Sequence, residues 1–167
     1  MSDETLKRLF RHMAWANNQI FTQLSELPEA ALSYTAWNPE WSVGKIANHI
    51  VIAQGRFISR LQKQPPLAES EFPLTPAGMS ELAVKSRDND QTIQSFLELP
   101  DEMLTFIRYG ETVSYLTSSV LAQVIHHATE HRAQIADILA VNNLDVVNLD
   151  ELDLWSFERF ERVSATS

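Results

Sequence analysis

The sequence predicts an all-α protein, a four-helix bundle with a short β-hairpin between its third and fourth helices. Three observations predict it. Four stretches repeat apolar residues at helical spacing. Prolines close three of them, at Pro28, Pro65-Pro66 and Pro100. One segment, residues 105–116, instead gathers β-branched and aromatic residues around a single glycine, as a hairpin does.

The first helix is expected over residues 3–27, with Leu6, Phe10, Met13, Ile20 and Leu24 on one stripe. The second follows the Asn38-Pro39-Glu40-Trp41 punctuation, with Ser42 as N-cap and Val43, Ile46, Ile50, Ala53, Phe57 and Leu61 as its stripe. A loop carrying Pro65, Pro66, Pro73 and Pro76 separates it from the third helix, residues 79–99. That helix has a thinner stripe of Met79, Leu82, Ile93 and Leu97. In the hairpin the turn falls at Gly110-Glu111. The fourth helix covers residues 118–142, capped by Thr117 or Ser118. The acidic tail still holds Leu154, Trp155, Phe157 and Phe160, which predicts a short packed helix. Neither an internal repeat nor a low-complexity stretch is found, so residues 1–167 read as one domain.

Composition narrows the function. The 167 residues are 44% hydrophobic, and 13 basic against 22 acidic residues leave a net charge of −9. An acidic chain has no basic surplus to replace phosphate counterions, which argues against nucleic acid as a partner. With no cysteine, disulfides, thiolate metal sites and a protein thiol nucleophile are excluded. The opening residues carry no apolar targeting segment, and the longest aliphatic run is only Ile50-Val51-Ile52-Ala53. A cytoplasmic protein without membrane contact is expected. Four glycines without a G-x-G-x-x-G spacing disfavour a phosphate cradle.

The five histidines carry the chemistry. On a wheel of the fourth helix set at Val120, His127 lies about 20° to one side and His131 about 20° to the other. Both point inward one turn apart, whereas His126 falls on the polar face. His49 sits at the margin of the second helix's stripe and offers a third imidazole. Three neutral imidazoles with open positions for solvent are how catalytic zinc sites are built, and imidazole also suits nickel, copper and iron. No carboxylate shares the inward faces of these two helices, which disfavours calcium and magnesium. The pattern alone equally allows hydrogen-bonded core histidines. His12 falls off the first helix's stripe and is expected at the surface. The string His127-Ala-Thr-Glu130-His131 also spells the inverted zinc-protease signature H-x-x-E-H. That signature needs another acidic ligand far downstream, little chain follows His131, and the wheel turns Glu130 away from the two histidines. The match is read as accidental.

The run VIHHATEHRAQI at residues 124–135 resembles the fourth-helix motif of the DinB/YfiT family of metal-binding helical proteins. Met13-Ala-Trp-Ala-Asn17, Leu27-Pro28-Glu29 and the stretch from Trp41 through His49 resemble its first helix, that helix's exit and its second helix. The hairpin belongs to the pattern too, so the resemblance covers about residues 3–142. It implies an up-down-down-up, often dimeric bundle that binds a divalent metal, commonly nickel or zinc, on His49, His127 and His131. Many relatives carry one more histidine where this chain has Gln123, a position outside the three ligands.

For function, the resemblance implies a metal-dependent enzyme, a thiol-dependent transferase or isomerase acting on an unidentified small-molecule thiol or electrophile; hydrolysis by metal-bound water, which would make it a hydrolase, is equally open. Lacking cysteine, the chain would take that thiol as a cosubstrate. The alternative is a non-catalytic metal-binding stress-response or interaction protein, since no inward acid or base stands beside the histidines. Arg132 is read as an exposed helix residue that could also anchor a carboxylate. Trp15, opposite the first helix's core stripe, marks either a dimer surface or a site covered by the hairpin or tail.

Overall fold

A computed structural model describes residues 3–66, 68 and 70–166. Among the described residues the chain is predominantly helical, with five α-helices and one two-stranded antiparallel sheet. Helix α1 (Asp3–Glu26) buries Phe10, Met13, Ile20 and Leu24, and it ends where Pro28 forbids a helical residue before it. Helix α2 (Val43–Leu61) starts at Ser42, whose hydroxyl accepts from the Lys45 amide at 3.4 Å. Helix α3 (Pro76–Gln94) begins three residues before the expected Met79. Thr75 accepts from the Gly78 amide, and Pro76 fills the first helical position, where a missing N–H costs nothing. It also stops five residues before the expected Leu99. The Ser95 hydroxyl donates to the Thr92 carbonyl at 2.6 Å, and the chain continues in turns.

Strands β1 (Met103–Arg108) and β2 (Glu111–Leu116) pair from Met103↔Leu116 to Arg108↔Glu111. The turn is Tyr109-Gly110, one residue earlier than expected. Both residues have positive φ, 52° and 83°, as a two-residue primed turn requires. This register puts Leu104, Phe106 and Arg108 on one face, with Tyr115 opposite Leu104. Leu104 is buried and Phe106 half-buried, so that face turns toward the helices.

Helix α4 (Thr117–Val141) is capped neither by Thr117 nor by Ser118. Asp101, just ahead of the hairpin, accepts from the Ser118 amide at 2.9 Å instead. The hairpin thus closes back on its own start, and the carboxylate favours the positive helix end.

Helices α1 and α2 each pack against both α3 and α4 around a continuous apolar core. A polar network bridges all four helices inside it. Asp90 on α3 accepts from Gln54 on α2 at 2.7 Å and, through longer bonds, from Asn17 on α1 and Ser86. Arg132 on α4 donates to Asn17 at 2.7 Å and to Thr129 at 3.0 Å. Asp90 is 2% exposed and Arg132 4%. The expectation of an exposed Arg132 is therefore wrong. On the wheel it lies about 20° from Leu121 and Leu139, inside the buried arc.

The tail forms a short helix, α5 (Leu154–Ser164), capped by Asp153 on the Ser156 amide at 2.7 Å. Its Phe157 is buried and packs on Trp15 at a ring separation of 5.5 Å, and Phe160 covers the same tryptophan at 5.8 Å. Trp15 is thus covered by the tail. His12, expected at the surface, is half-buried there and donates through Nε2 to the Leu152 carbonyl at 2.7 Å. Arg11 ties α1 to α5 through Glu161 at 2.8 Å. Phe157→Ala removes the one buried side chain of α5, a change worth about 3–5 kcal/mol at a packed site. We expect α5 to detach while the other helices persist. Limited trypsin digestion should cut faster at Arg159 and Arg162 in the variant; unchanged cutting there would contradict the docking role of Phe157.

Among the described residues, no helix is long and apolar enough to cross a membrane.

Candidate metal centre

His49 comes from the middle of α2, and His127 and His131 from successive turns of α4. Because α2 packs on α4, the three half-buried imidazoles converge. One nitrogen of each lies within 4.8 Å of the others, so the three are positioned to hold a metal ion. The Nε2 atoms of His49 and His127 are 3.0 Å apart. Nitrogens at ~2.0–2.1 Å from one ion are separated by about this much, so the pair has the bite of two ligands. His131 Nδ1 lies 2.7 Å from the Gln134 carbonyl oxygen, which can only accept. The proton therefore sits on Nδ1, and the Nε2 lone pair is left for a ligand.

Aromatic rings fix these imidazoles. Trp41 stacks on His131 with an interplanar angle of 7° and a centroid distance of 5.7 Å, and it meets His49 edge-on at 5.0 Å. Phe57 meets His127 edge-on at 5.8 Å. Burial, with smaller contributions from the charges of His131 and Arg56, lowers the His49 pKa to about 4. Burial likewise lowers His127 to about 3, helped by His131, His49, Arg56 and Arg60. Both rings are neutral at pH 7, the form a metal needs.

Two cavities reach the cluster. One of about 420 Å³ is lined by His49 and His127, by Arg56, Phe57 and Arg60 of α2, and by Phe106, Arg108 and Tyr115 of the hairpin. The other, of about 400 Å³, exposes His131 among Trp37, Trp41, Ile138 and Val141. Trp37 there is 88% exposed.

His126 and Glu130 are exposed on α4, away from the cluster. Arg132 points into the core network and cannot anchor a carboxylate at the surface. Sequence reasoning missed the roles of Trp41 and Gln134. Trp41 directly precedes the N-cap of α2, where an apolar residue commonly packs back on the helix, and this position could have marked it. Gln134 stands three residues after His131, within reach on one helix face.

A helical protein with three histidines converging from two helices next to a hairpin is, as a class, a candidate metalloprotein. Residues 1–152 match the sequence model of the DinB family, and the chain belongs to that family. It is similar to Protein DinB of Bacillus subtilis (strain 168), with 23% identity over 153 residues covering 83% of this chain and 86% of that protein.

Proposed function

We propose that this chain is a metal-dependent enzyme, a thiol-dependent transferase or a hydrolase, with His49, His127 and His131 holding one nickel or zinc ion. The observation that carries this reading is the convergence of three imidazoles within 4.8 Å, two of them kept neutral by burial. An ion there supplies Lewis acidity and lowers the pKa of a thiol or water it binds. The chain's own residues do the rest. Gln134 holds the His131 proton on Nδ1, and Trp41 and Phe57 restrict the rings and limit water. The cavities at His49 and His131 offer space for a small-molecule thiol or electrophile.

This reading includes an up-down-down-up four-helix bundle formed as one domain over residues 1–167, a homodimer, and a cytoplasmic location. The up-down-down-up order and the dimer rest on the family resemblance, and the single domain and the location on the sequence reading above. The charge of −9 supports a partner other than nucleic acid. A second reading, a non-catalytic protein whose ion clamps α2 to α4, is favoured by one observation. Among the described residues, no carboxylate lines the cavity at His49 and His127 to act as a general base.

Metal analysis of the purified protein tests the proposal. The native chain should carry one transition-metal ion, and the double variant His127→Ala, His131→Ala should carry none. His126→Ala, on the exposed face, should match the native chain. Equal metal loss in both variants would sink the assignment. Turnover of thiol–electrophile pairs by the loaded protein then separates the enzyme from the clamp.

A further inference from the structure

The cavity at His131 joins two indole rings to one carboxylate. Trp37 and Trp41 line it with Ile46, Ile138 and Val141, and Asp137 supplies the charge. The local sequence dictates this lining. His131, Gln134, Ile138 and Val141 follow one another by three, four and three residues, which puts them along one face of α4. Asp137 lies at the edge of that face, three residues after Gln134 and four before Val141. It stands about 9 Å beyond His131 along the helix axis, so a group bound at its carboxylate leaves the histidines clear.

The rest of the lining comes from the start of α2 and from the loop of residues 34–42 ahead of it, and that loop is tied down. Asn142, which caps α4, donates through Nδ2 to the Thr35 carbonyl at 3.1 Å. The Tyr34 carbonyl accepts from the Val43 amide at 3.0 Å, and Asn38 Oδ1 accepts from the Glu40 amide at 3.0 Å. On this anchored loop Trp37 still holds its ring almost wholly in water. The ring continues the apolar lining of Trp41, Ile138 and Val141, and a continuous patch of this kind marks a binding site. The cavity, of about 400 Å³, has the size of a small-molecule site.

Electrostatics sets the sign of the ligand. Among the described residues Asp137 is the one carboxylate of the lining, no lysine or arginine joins it there, and it makes no ion pair. Helix α4 ends at Val141 without a basic residue in its last turn, so no side chain of that turn offsets the negative end of the helix dipole. A carboxylate so near that end is unfavourable by itself, and a cation beside it turns the same field to advantage. Indole is also the aromatic face that attracts cations best.

We infer that the cavity at His131 binds a small organic ammonium ion, with its apolar body against Trp37 and Trp41 and its charge met by Asp137. This site goes beyond the metal reading above and needs no bound metal.

Calorimetry on the purified chain tests it with two probes of one shape. They are benzyl(hydroxyethyl)dimethylammonium and its carbon isostere, the same alcohol with a quaternary carbon in place of the nitrogen. The quaternary nitrogen has no lone pair to offer a metal. At low ionic strength the cation should bind about tenfold tighter, the joint worth of an exposed charge pair and a cation–π contact. Asp137→Asn changes an exposed side chain, so the fold should persist. It should cut the preference to about threefold, the share left to the indoles, with the neutral probe's affinity unchanged. Trp37→Ala, at an equally exposed position, should weaken both probes. Equal affinities in the native protein, or no binding of the cation, would overturn the inference. So would a tenfold preference that survives Asp137→Asn, or binding that Trp37→Ala leaves unchanged. Metal analysis of the same sample keeps the two readings apart, because a metal-free protein sinks the metal reading and leaves these comparisons valid.

Discussion

Replacing Arg132 by methionine is expected to cost about 3–5 kcal/mol of stability, far beyond the effect of changing a surface arginine. The guanidinium is 4% exposed, and its Nη1 donates to the Asn17 carbonyl oxygen at 2.7 Å. Burial lowers its pKa to about 10, so it remains charged at neutral pH. Methionine keeps most of the volume but leaves Asn17 without its donor and Asp90 without a buried counter-charge. Asp90 gives the effect a pH dependence. Burial raises its pKa to about 7 against bonds from Asn17, Ser86 and Gln54 and the charge of Arg132, which lower it. The folded chain thus holds a proton that the unfolded chain releases near 3.8. The contribution to stability is fully present below that pH and is lost as pH rises through about 7. Without Arg132 the folded-state pKa climbs further, so the variant should lose more relative to the native protein at pH 8 than at pH 5. Denaturant unfolding at both values measures this. Adding Asp90→Leu to Arg132→Met should recover part of the loss, as expected of coupled buried partners. A cost under about 1 kcal/mol, the range of an exposed pair, would show that the network does not bind the helices together.

The same network shows where the sequence was legible. Apolar spacing located α1, α2 and α4 closely, because each buries a nearly unbroken stripe. On α3 the stripe was thin for a physical reason. Between Leu82 and Ile93 the buried positions are Ser86, Asn89 and Asp90, which a hydrophobic pattern counts as solvent-facing. Their partners come from other helices, and no local pattern announces a long-range bond. Arg132 was misjudged by residue type although its angular position already set it beside Leu121 and Leu139. The histidines were easier. His127 and His131 are one turn apart, so a single helix fixes their common direction. Bringing His49 to them takes the packing of α2 on α4, and only the wheel margin of α2 hinted at it. The hairpin turn slipped by one residue because Tyr109, an unusual residue at positive φ, takes the first turn position. That one residue decides which face Arg108 occupies.

Metal affinity should fall far less between pH 7 and pH 5 than three solvated histidines would allow. Imidazole binds a metal only when neutral, and its unperturbed pKa is ~6.5. Three such ligands compete with protons together, so their joint affinity drops by roughly four to five decades over that interval. Here burial lowers His49 to about 4 and His127 to about 3, with the charges of neighbouring His131 and Arg56 acting in the same direction. The sign follows directly. A lowered pKa means that the folded site refuses the proton, so at pH 5 these two rings remain neutral and ready to bind. With these two ligands withdrawn from proton competition over the interval, the loss should stay well short of the four to five decades of three free imidazoles. Equilibrium dialysis against one metal at pH 7 and pH 5 measures the difference. A loss of four decades would mean that His49 and His127 titrate like free histidine, and the buried three-histidine site would then be wrong. Below pH 4 the two buried rings begin to take up protons themselves. Release should steepen there, with more than one proton bound per ion lost.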